Sequence, residues 1–171
     1  MDTSAPSADA TPNDATDCPR CRKPVALCVC EGIEPIDNRI ELVVLQHPQE
    51  QDKELGTARL TALQLGNAQF KVGLSWPNLS KIVGRAVDAQ RWAVLYLGSV
   101  KAGKIAPGRE IVVVDKKGEP IRDQDDALEH LEGIILLDGT WSQAKALWWR
   151  NAWMLKCRRI VLGPRRPSRF G

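Results

Sequence analysis

The sequence predicts an α/β fold with a mostly parallel sheet and helices on both of its faces. Short apolar runs of strand length alternate with stretches of helical character along most of the 171 residues. The run at 133–137 is uninterrupted Ile and Leu after its first glycine, which is typical of a strand buried on both faces. Alternating strands and helices favour a parallel sheet. Hydrophobic residues make up 43% of the chain, enough for a sizeable core.

Three strands and two helices are predicted in the first part of the chain. Residues 40–46 form an aliphatic, β-branched run after a Gly- and Pro-containing linker at 31–37. Leucines recur through 53–66, which favours a helix. We then predict a strand at 69–74, a helix over 78–89 that starts after Pro77, and an apolar strand at 92–97.

Three further strands and a Trp-rich helix complete the pattern. The strands are predicted at 110–114, 134–138 and 159–162, and the helix over 141–153. His130 lies in an acidic stretch and is expected at a solvated helix end. Most of the indoles on the Trp-rich helix are expected to pack in the core. No Ser-His-Asp arrangement can be built convincingly from the two histidines, and His47 is more simply explained as structural.

The junction after the strand at 134–138 is the most informative stretch of the chain. The strand stops at Asp138 and Gly139, and Thr140 is suited to be the N-cap of the next helix. An acid at the carboxyl end of a strand, beside a helix N-terminus, lies where open α/β sheets bind their ligands. The same two residues could serve only to cap the helix. Spacing alone leaves both interpretations open.

Four cysteines near the start of the chain predict a metal site. Cys18-x-x-Cys21 and Cys28-x-Cys30 place four thiols within thirteen residues, and four thiolates complete a tetrahedral zinc shell. With all four positions filled by cysteine, the site is expected to be structural. Two disulfides are the alternative, but nothing marks the chain as secreted. Cys157 stands alone and is expected to be an ordinary, partly buried thiol.

The distribution of charge predicts a polyanion-binding surface. The net charge is only +3, yet no acidic residue follows Asp138. Eight bases do follow it, and we select Lys156, Arg165, Arg166 and Arg169 as candidate RNA contacts. The alternative is a solvated basic tail. No apolar run has the length of a membrane span, and residues 1–17 resemble a disordered tail more than a signal peptide. We therefore expect a cytoplasmic protein; the sequence carries no indication of its oligomeric state.

Several segments together resemble one known family. Asp138-Gly139-Thr140-Trp141, followed by Ser-Gln-Ala, is similar to the Asp-x-Thr-Trp signature of the DTW-domain family. The resemblance continues in the cysteine pairs and in four further segments, and it covers residues 18 to 171. These segments are Gln46–Glu50, Gly56–Leu60, Trp92–Ser99 and Ile160–Pro164. The family continues beyond this point with an arginine pair and a long helix, so we expect the chain to lack that last helix.

The resemblance implies an activity, a fold and a set of site residues. It implies transfer of the 3-amino-3-carboxypropyl group of S-adenosylmethionine to N3 of a uridine in tRNA, on a SPOUT-like knotted fold. The implied domains are a tail at 1–17, a zinc-binding module at 18–31 and a DTW domain at 32–171. Asp138 would be a catalytic base or a partner of the ammonium group of S-adenosylmethionine, and Trp141 would stack on a base or wall the pocket.

The implied cofactor pocket is formed by loops after the late strands. Its expected residues are Leu97, Gly98, Ser99, Leu136, Asp138, Thr140, Leu162 and Gly163. Two other functions stay open at this point. One is a SPOUT-type RNA methyltransferase that uses the same cofactor, and the other is a non-catalytic, zinc-containing RNA-binding protein.

Overall fold

A computed structural model describes residues 17–51, 56–95 and 108–163. The chain divides into two compact units, Met1–Ile33 and Glu34–Gly171. The second unit contains a six-stranded sheet in the order β2-β1-β5-β3-β6-β4. Its strands are β1 (Glu41–Gln46), β2 (Ala68–Val72), β3 (Trp92–Leu95), β4 (Ile111–Val114), β5 (Gly133–Asp138) and β6 (Arg158–Leu162). All neighbours are parallel except β4, which runs antiparallel to β6 at one edge. The predicted mostly parallel sheet is confirmed.

Helices pack on both faces of this sheet, as predicted. They are α1 (Ala58–Leu63), α2 (Leu79–Val83), α3 (Gln124–Glu129) and α4 (Trp141–Arg150). Residues of α2 join Val43, Leu45 and Val94 in one core cluster, against which Trp148 of α4 also packs. Ala127 of α3 lies in a second cluster with Ala93 and Ile160. Successive residues of a strand point to opposite faces, so Ala93 and Val94 belong to opposite sides of the sheet.

Two helices and one strand in the first part of the chain are shorter than predicted. The helix predicted over 78–89 ends at Val83, because Gly84 adopts φ of 83° and closes it in the left-handed conformation. Within the described residues, the helix predicted over 53–66 is shorter, Ala58–Leu63. The strand predicted at 69–74 ends at Val72. His130 is the exposed residue that follows α3, so its expected place at a helix end is confirmed.

Asn151 ends α4 three residues before the predicted limit. Its side chain is almost fully buried, with 1% of its surface exposed. The amide oxygen accepts hydrogen bonds from Trp76 N at 2.8 Å and Trp153 Nε1 at 3.3 Å. The amide nitrogen donates to the carbonyls of Leu74 at 3.0 Å and Leu147 at 2.7 Å. This amide therefore ties the end of α4 to the loop after β2, a contact that helical periodicity cannot reveal.

Strand register brings three strand ends together at one edge of the sheet. Val44 pairs with Leu136, and Gln46 pairs with Asp138, across β1 and β5. On the other side of β5, Val94 of β3 pairs with Ile135. The carboxyl ends of β1, β5 and β3 therefore lie side by side, which is where parallel sheets bind ligands. In the described part of the chain no helix has the length and apolar character needed to cross a bilayer.

Candidate active site and cysteine cluster

A cavity of about 360 Å³ lies at this carboxyl edge. The sheet contributes Val44, Leu95, Leu136, Leu137 and Asp138, α1 with the residue before it contributes Thr57, Ala58 and Thr61, and Trp141 stands at the start of α4. Most of the wall is thus aliphatic, with two hydroxyls on one side and a carboxylate at the end of the central strand. A mostly apolar pocket with a few polar groups is the usual form of a small-molecule site.

Asp138 is the acidic residue of the cavity and is held by a buried partner. Its Oδ2 accepts a hydrogen bond of 2.8 Å from Nε2 of Gln46, a side chain only 6% exposed. The backbone carbonyl of Asp138 also accepts from His47 N at 2.9 Å. Among the described residues, Gln46 is the one side chain that bonds to the carboxylate. A hydrogen bond to the ionised form fixes the orientation of such a group.

The residues after Asp138 form a capping box at the start of α4. Oγ1 of Thr140 accepts from Gln143 N at 3.4 Å, and Oε1 of Gln143 accepts from Thr140 N at 2.7 Å. This confirms Thr140 as the N-cap. Trp141 is then the first residue of the helix, and 67% of its surface is exposed although it lines the cavity. The capping box therefore fixes an exposed indole beside the carboxylate.

The His-Pro segment after β1 supports the same helix end. Nδ1 of His47 accepts from Gln49 N at 3.3 Å and so caps a short 3₁₀ turn over Pro48–Glu50. Oε1 of Gln49 in turn accepts from Nε2 of Gln143 at 3.2 Å. His47 does not line the cavity among the described residues. Its contacts agree with the structural role expected from the sequence.

Only part of the expected pocket is brought together by the described residues. Leu136, Asp138 and Trp141 line the cavity, whereas Thr140 acts through its cap. Leu162 and Gly163 lie at the end of β6, outside the cavity lining, and Leu162 is 59% exposed. The segment Leu97, Gly98 and Ser99 is outside the described residues.

Sequence reasoning missed Gln46, Thr57 and Thr61. Gln46 is a polar residue at the end of an apolar strand, which is the same signal that identified Asp138. Thr57 lies in the segment that resembles the family, but no pattern distinguished it from its neighbours. Thr61 could be assigned only once α1 was placed against the cavity.

The basic residues after Asp138 differ in their burial and in their contacts. Arg159 is buried, lies 5.1 Å from the Trp148 ring centroid and donates to the carbonyl of Lys116, so it belongs to the fold. Arg158 donates to the carbonyl of Gln90 at 2.8 Å. Among the described residues that follow Asp138, the exposed bases are Lys145, Arg150 and Lys156. Arg165, Arg166 and Arg169 lie outside the described residues.

The four cysteines of the first unit converge on one point. Sγ of Cys18 and Sγ of Cys30 are 3.9 Å apart, as are those of Cys21 and Cys28. All four sulfurs lie within 4.8 Å of one another, and none forms a disulfide. A tetrahedron with Zn–S bonds of about 2.3 Å has edges of roughly 3.8 Å. The sulfur positions therefore fit a tetrahedral zinc ion.

The backbone of this unit shapes the thiol chemistry. A tight turn, closed by Arg22 N donating to Cys18 O at 2.8 Å, places Arg22 at φ of 58°. Backbone hydrogen bonds from Cys21 and Arg20 lower the pKa of Cys18 to about 6. Burial raises the pKa of Cys30 to about 12, so its thiolate form requires a compensating cation. Cys157 is buried elsewhere, and that burial also raises its pKa to about 12, as expected for an unreactive thiol.

The second unit is therefore an α/β domain with a cavity at the carboxyl edge of a mostly parallel sheet, and the first unit carries a four-cysteine cluster that fits a metal ion. The chain belongs to the DTW-domain family, because the family model described as "DTW domain" matches residues 15–171.

Comparison with curated proteins gives relatives of one name. The chain is 28% identical over 165 residues to tRNA-uridine aminocarboxypropyltransferase 2 of Drosophila melanogaster, a match that covers 91% of this chain and 57% of that protein. It is 31% identical over 140 residues to the protein of that name from Macaca fascicularis, covering 80% and 42%. The chain thus spans about half the length of these relatives. No solved structure matches it.

Proposed function

We propose that this protein transfers the 3-amino-3-carboxypropyl group of S-adenosylmethionine to N3 of a uridine in tRNA and releases methylthioadenosine. The observation that carries the proposal is the Asp138 carboxylate, oriented by Gln46, at a cavity whose rim carries Trp141. Asp138 and Trp141 both belong to the Asp-x-Thr-Trp signature. Membership of the family and the names of the relatives support the same reaction.

The chemistry requires one base and one oriented carbon. N3 of uridine forms a bond to the methylene carbon next to the sulfonium, while the carbon–sulfur bond breaks and its electron pair stays on sulfur. The N3 proton leaves to a base, for which we propose Asp138. The enzyme selects the methylene carbon over the methyl group of the sulfonium if the bound donor directs the methylene carbon at N3 of the uridine. A pocket fixed on three strand ends is suited to such positioning.

The cavity has the dimensions and wall chemistry for the donor. Its volume of about 360 Å³ lies within the range of about 300–1,000 Å³ typical of small-molecule sites. The aliphatic side chains of Val44, Leu95 and Leu136 would pack on the apolar parts of the donor, and the hydroxyls of Thr57 and Thr61 would serve its polar groups. Leu97, Gly98 and Ser99, which follow β3 in the sequence, remain part of the proposed pocket. Leu162 and Gly163, at the end of β6, would reach the donor only outside the part of the cavity that the described residues line.

The proposal extends to the rest of the chain. Cys18, Cys21, Cys28 and Cys30 would hold a structural zinc ion, which would contribute to the folding of the first unit. The SPOUT-like knotted topology is likewise proposed, supported by the parallel order of β2, β1, β5, β3 and β6. A crystal structure that traces residues 96–107 and 164–171 would test the knot. We place the reaction in the cytoplasm, where thiols stay reduced.

The test identifies the product formed from the donor and unmodified tRNA transcripts. Methylthioadenosine and a modified uridine are expected, whereas S-adenosylhomocysteine would indicate a methyltransferase. Binding of tRNA without any product would indicate a non-catalytic RNA-binding protein. Either of these results would overturn the proposal.

A matched pair of variants tests the assigned base. Asp138→Asn keeps a hydrogen-bond acceptor for Gln46, so the fold should persist while kcat falls by roughly a hundredfold or more. Asp115→Asn is the control, because Asp115 only accepts backbone hydrogen bonds in the turn after β4. Wild-type kcat in Asp138→Asn would remove the catalytic assignment. A raised KM for the donor at unchanged kcat would instead make Asp138 the partner of its ammonium group.

A further inference from the structure

α4 carries an exposed row of two indoles and one cation, and the proposed reaction gives a role only to the first indole, Trp141. Trp141, Lys145 and Trp149 are spaced four residues apart and so lie along one side of the helix. We call them the α4 stripe. Trp149 is 76% exposed and Trp141 is 67% exposed, while Lys145 is also exposed. The stripe begins at the cavity, because Trp141 lines it.

Packing of the helix does not require this row. α4 is held by Ala144 and Leu147, which are 3% and 0% exposed, and by Trp148, which packs on the main core cluster. The remaining indoles of the chain are buried in the core or pack against it. Trp92 is fully buried, and Trp76 and Trp153 pack against the same cluster. An indole as exposed as Trp149 therefore buries little apolar surface in this fold and is available to a partner.

The chemistry of the stripe fits a single-stranded nucleic acid. Indoles stack on any base, and a neighbouring cation pairs with phosphate. No acidic residue follows Asp138 in the sequence, and Arg150 is a further exposed base on α4. At a helical rise of 1.5 Å per residue, Trp141 and Trp149 are about 12 Å apart along the axis. This distance corresponds to roughly three or four stacked nucleotides.

We infer that the α4 stripe is the docking surface for the single-stranded tRNA segment that contains the target uridine. Trp149 stacks on a base a few nucleotides away from the uridine in the cavity, and Lys145 contacts the phosphate backbone between them. This inference rests on the proposed function, since it assigns the surface by which the RNA substrate reaches that site. It commits to RNA as the occupant because of the aromatic and basic composition of the stripe.

The first experiment measures binding of unmodified tRNA transcripts, without the donor, to the wild-type chain and three variants. Trp149→Ala should weaken binding roughly 5- to 150-fold, the range expected for loss of one stacked base. Trp149→Tyr should restore most of the affinity, because a phenol ring also stacks. Ile36→Ala is the control, because it also removes an exposed apolar side chain, 61% exposed in Ile36. The backbone of Ile36 bonds to Gln64 and Gly66, near the amino end of β2 and away from the carboxyl edge where the cavity lies. Its affinity should equal that of the wild type.

The second experiment separates stacking from charge. Lys145→Gln should reduce the slope of log affinity against log salt by about 0.7, as expected for one lost phosphate contact on a single strand. Trp149→Ala should leave this slope unchanged. Lys117→Gln is the matched control, because Lys117 lies in the turn after β4, at the opposite edge of the sheet. Its slope should not change.

The outcomes distinguish this inference from the proposed function. If the wild type binds tRNA and both Trp149→Ala and Lys145→Gln bind with unchanged affinity and slope, the docking surface is wrong even when methylthioadenosine is formed. Failure of the wild type to bind tRNA would also overturn it. If Trp149→Ala loses affinity but no aminocarboxypropyl product forms with any tRNA, the surface stands and the reaction is wrong.

Discussion

The hydrogen bond between Gln46 and Asp138 gives a quantitative test of the proposed active site. Gln46→Met preserves the length of the side chain and removes the donor that lies 2.8 Å from Oδ2 of Asp138. Because Gln46 is buried, no water replaces the lost bond easily. Hydrogen bonds to charged groups contribute about 1.5–3 kcal/mol, so the free energy of unfolding should fall by about that amount. Activity should fall as well, since the carboxylate loses its orientation.

The expected loss of activity follows from geometry. A misplacement of about 1 Å at a reacting group can reduce the rate by about 100-fold. We therefore expect kcat of Gln46→Met to fall by roughly 10- to 100-fold, with little change in KM for tRNA. In an Asp138→Asn background the same substitution should have almost no further effect on kcat, because the proposed base that Gln46 orients is already absent.

The chain supplies a matched control for this substitution. Nε2 of Gln69 donates to Oε1 of Glu41 at 2.8 Å, so the same kind of bond exists near the amino end of β1, and Nε2 also donates to the carbonyl of Val83 at 3.1 Å. Gln69→Met should lower stability by at least as much, measured by urea unfolding, and leave kcat unchanged. Equal kcat values for Gln46→Met, Gln69→Met and the wild type would refute the argument. The bond from Gln46 would then be structural, and the orientation of Asp138 would not matter for the reaction.

Three further predictions concern the metal, the core and the basic end. We expect elemental analysis to find roughly one equivalent of zinc in the wild type and in Cys157→Ala and to find none in Cys21→Ala; two disulfides and no metal in the wild type would contradict this. Asn151→Ala should lower the free energy of unfolding by roughly 3–5 kcal/mol in urea titrations, since Trp76 N loses its acceptor and the carbonyls of Leu74 and Leu147 lose their donor; a loss below about 1 kcal/mol would contradict it. Replacing the last three arginines with Ala should reduce the salt slope of tRNA binding by about 0.7–0.9 per lost contact, and an unchanged slope would make them a solvated tail. These arginines are Arg165, Arg166 and Arg169.

The strands β1, β5 and β6 were predictable because each contains a continuous run of apolar residues. β1, β5 and β6 begin and end within about one residue of their predicted limits. The helices were less predictable, since their ends depend on single residues such as Gly84 and Asn151. Helical periodicity continues through Asn151, and only its buried contacts with Trp76 and Leu74 explain why α4 stops there.

The order of the strands and the composition of the site depend on long-range pairing. β5 inserts between β1 and β3, and nothing local in these three sequences specifies that order. Asp138 could be selected from its position at the end of a strand, but Gln46 lies 92 residues away in the chain. Its role appears only when the register of β1 and β5 places the two residues opposite each other. Thr61 depends in the same way on the packing of α1.

The phase of α4 relative to the sheet decides which indoles serve the fold and which serve a partner. Sequence spacing shows indoles on more than one side of the helix but does not say which side faces the core. Burial of Ala144 and Leu147 fixes that phase and turns Trp149 outward, together with Trp141 and Lys145. The capping box at Thr140 begins this helix directly after Asp138. One short segment, from the last residue of β5 into α4, thus carries the proposed base, the rim of the cavity and the proposed RNA surface, so tRNA docking and the reaction would share one geometry.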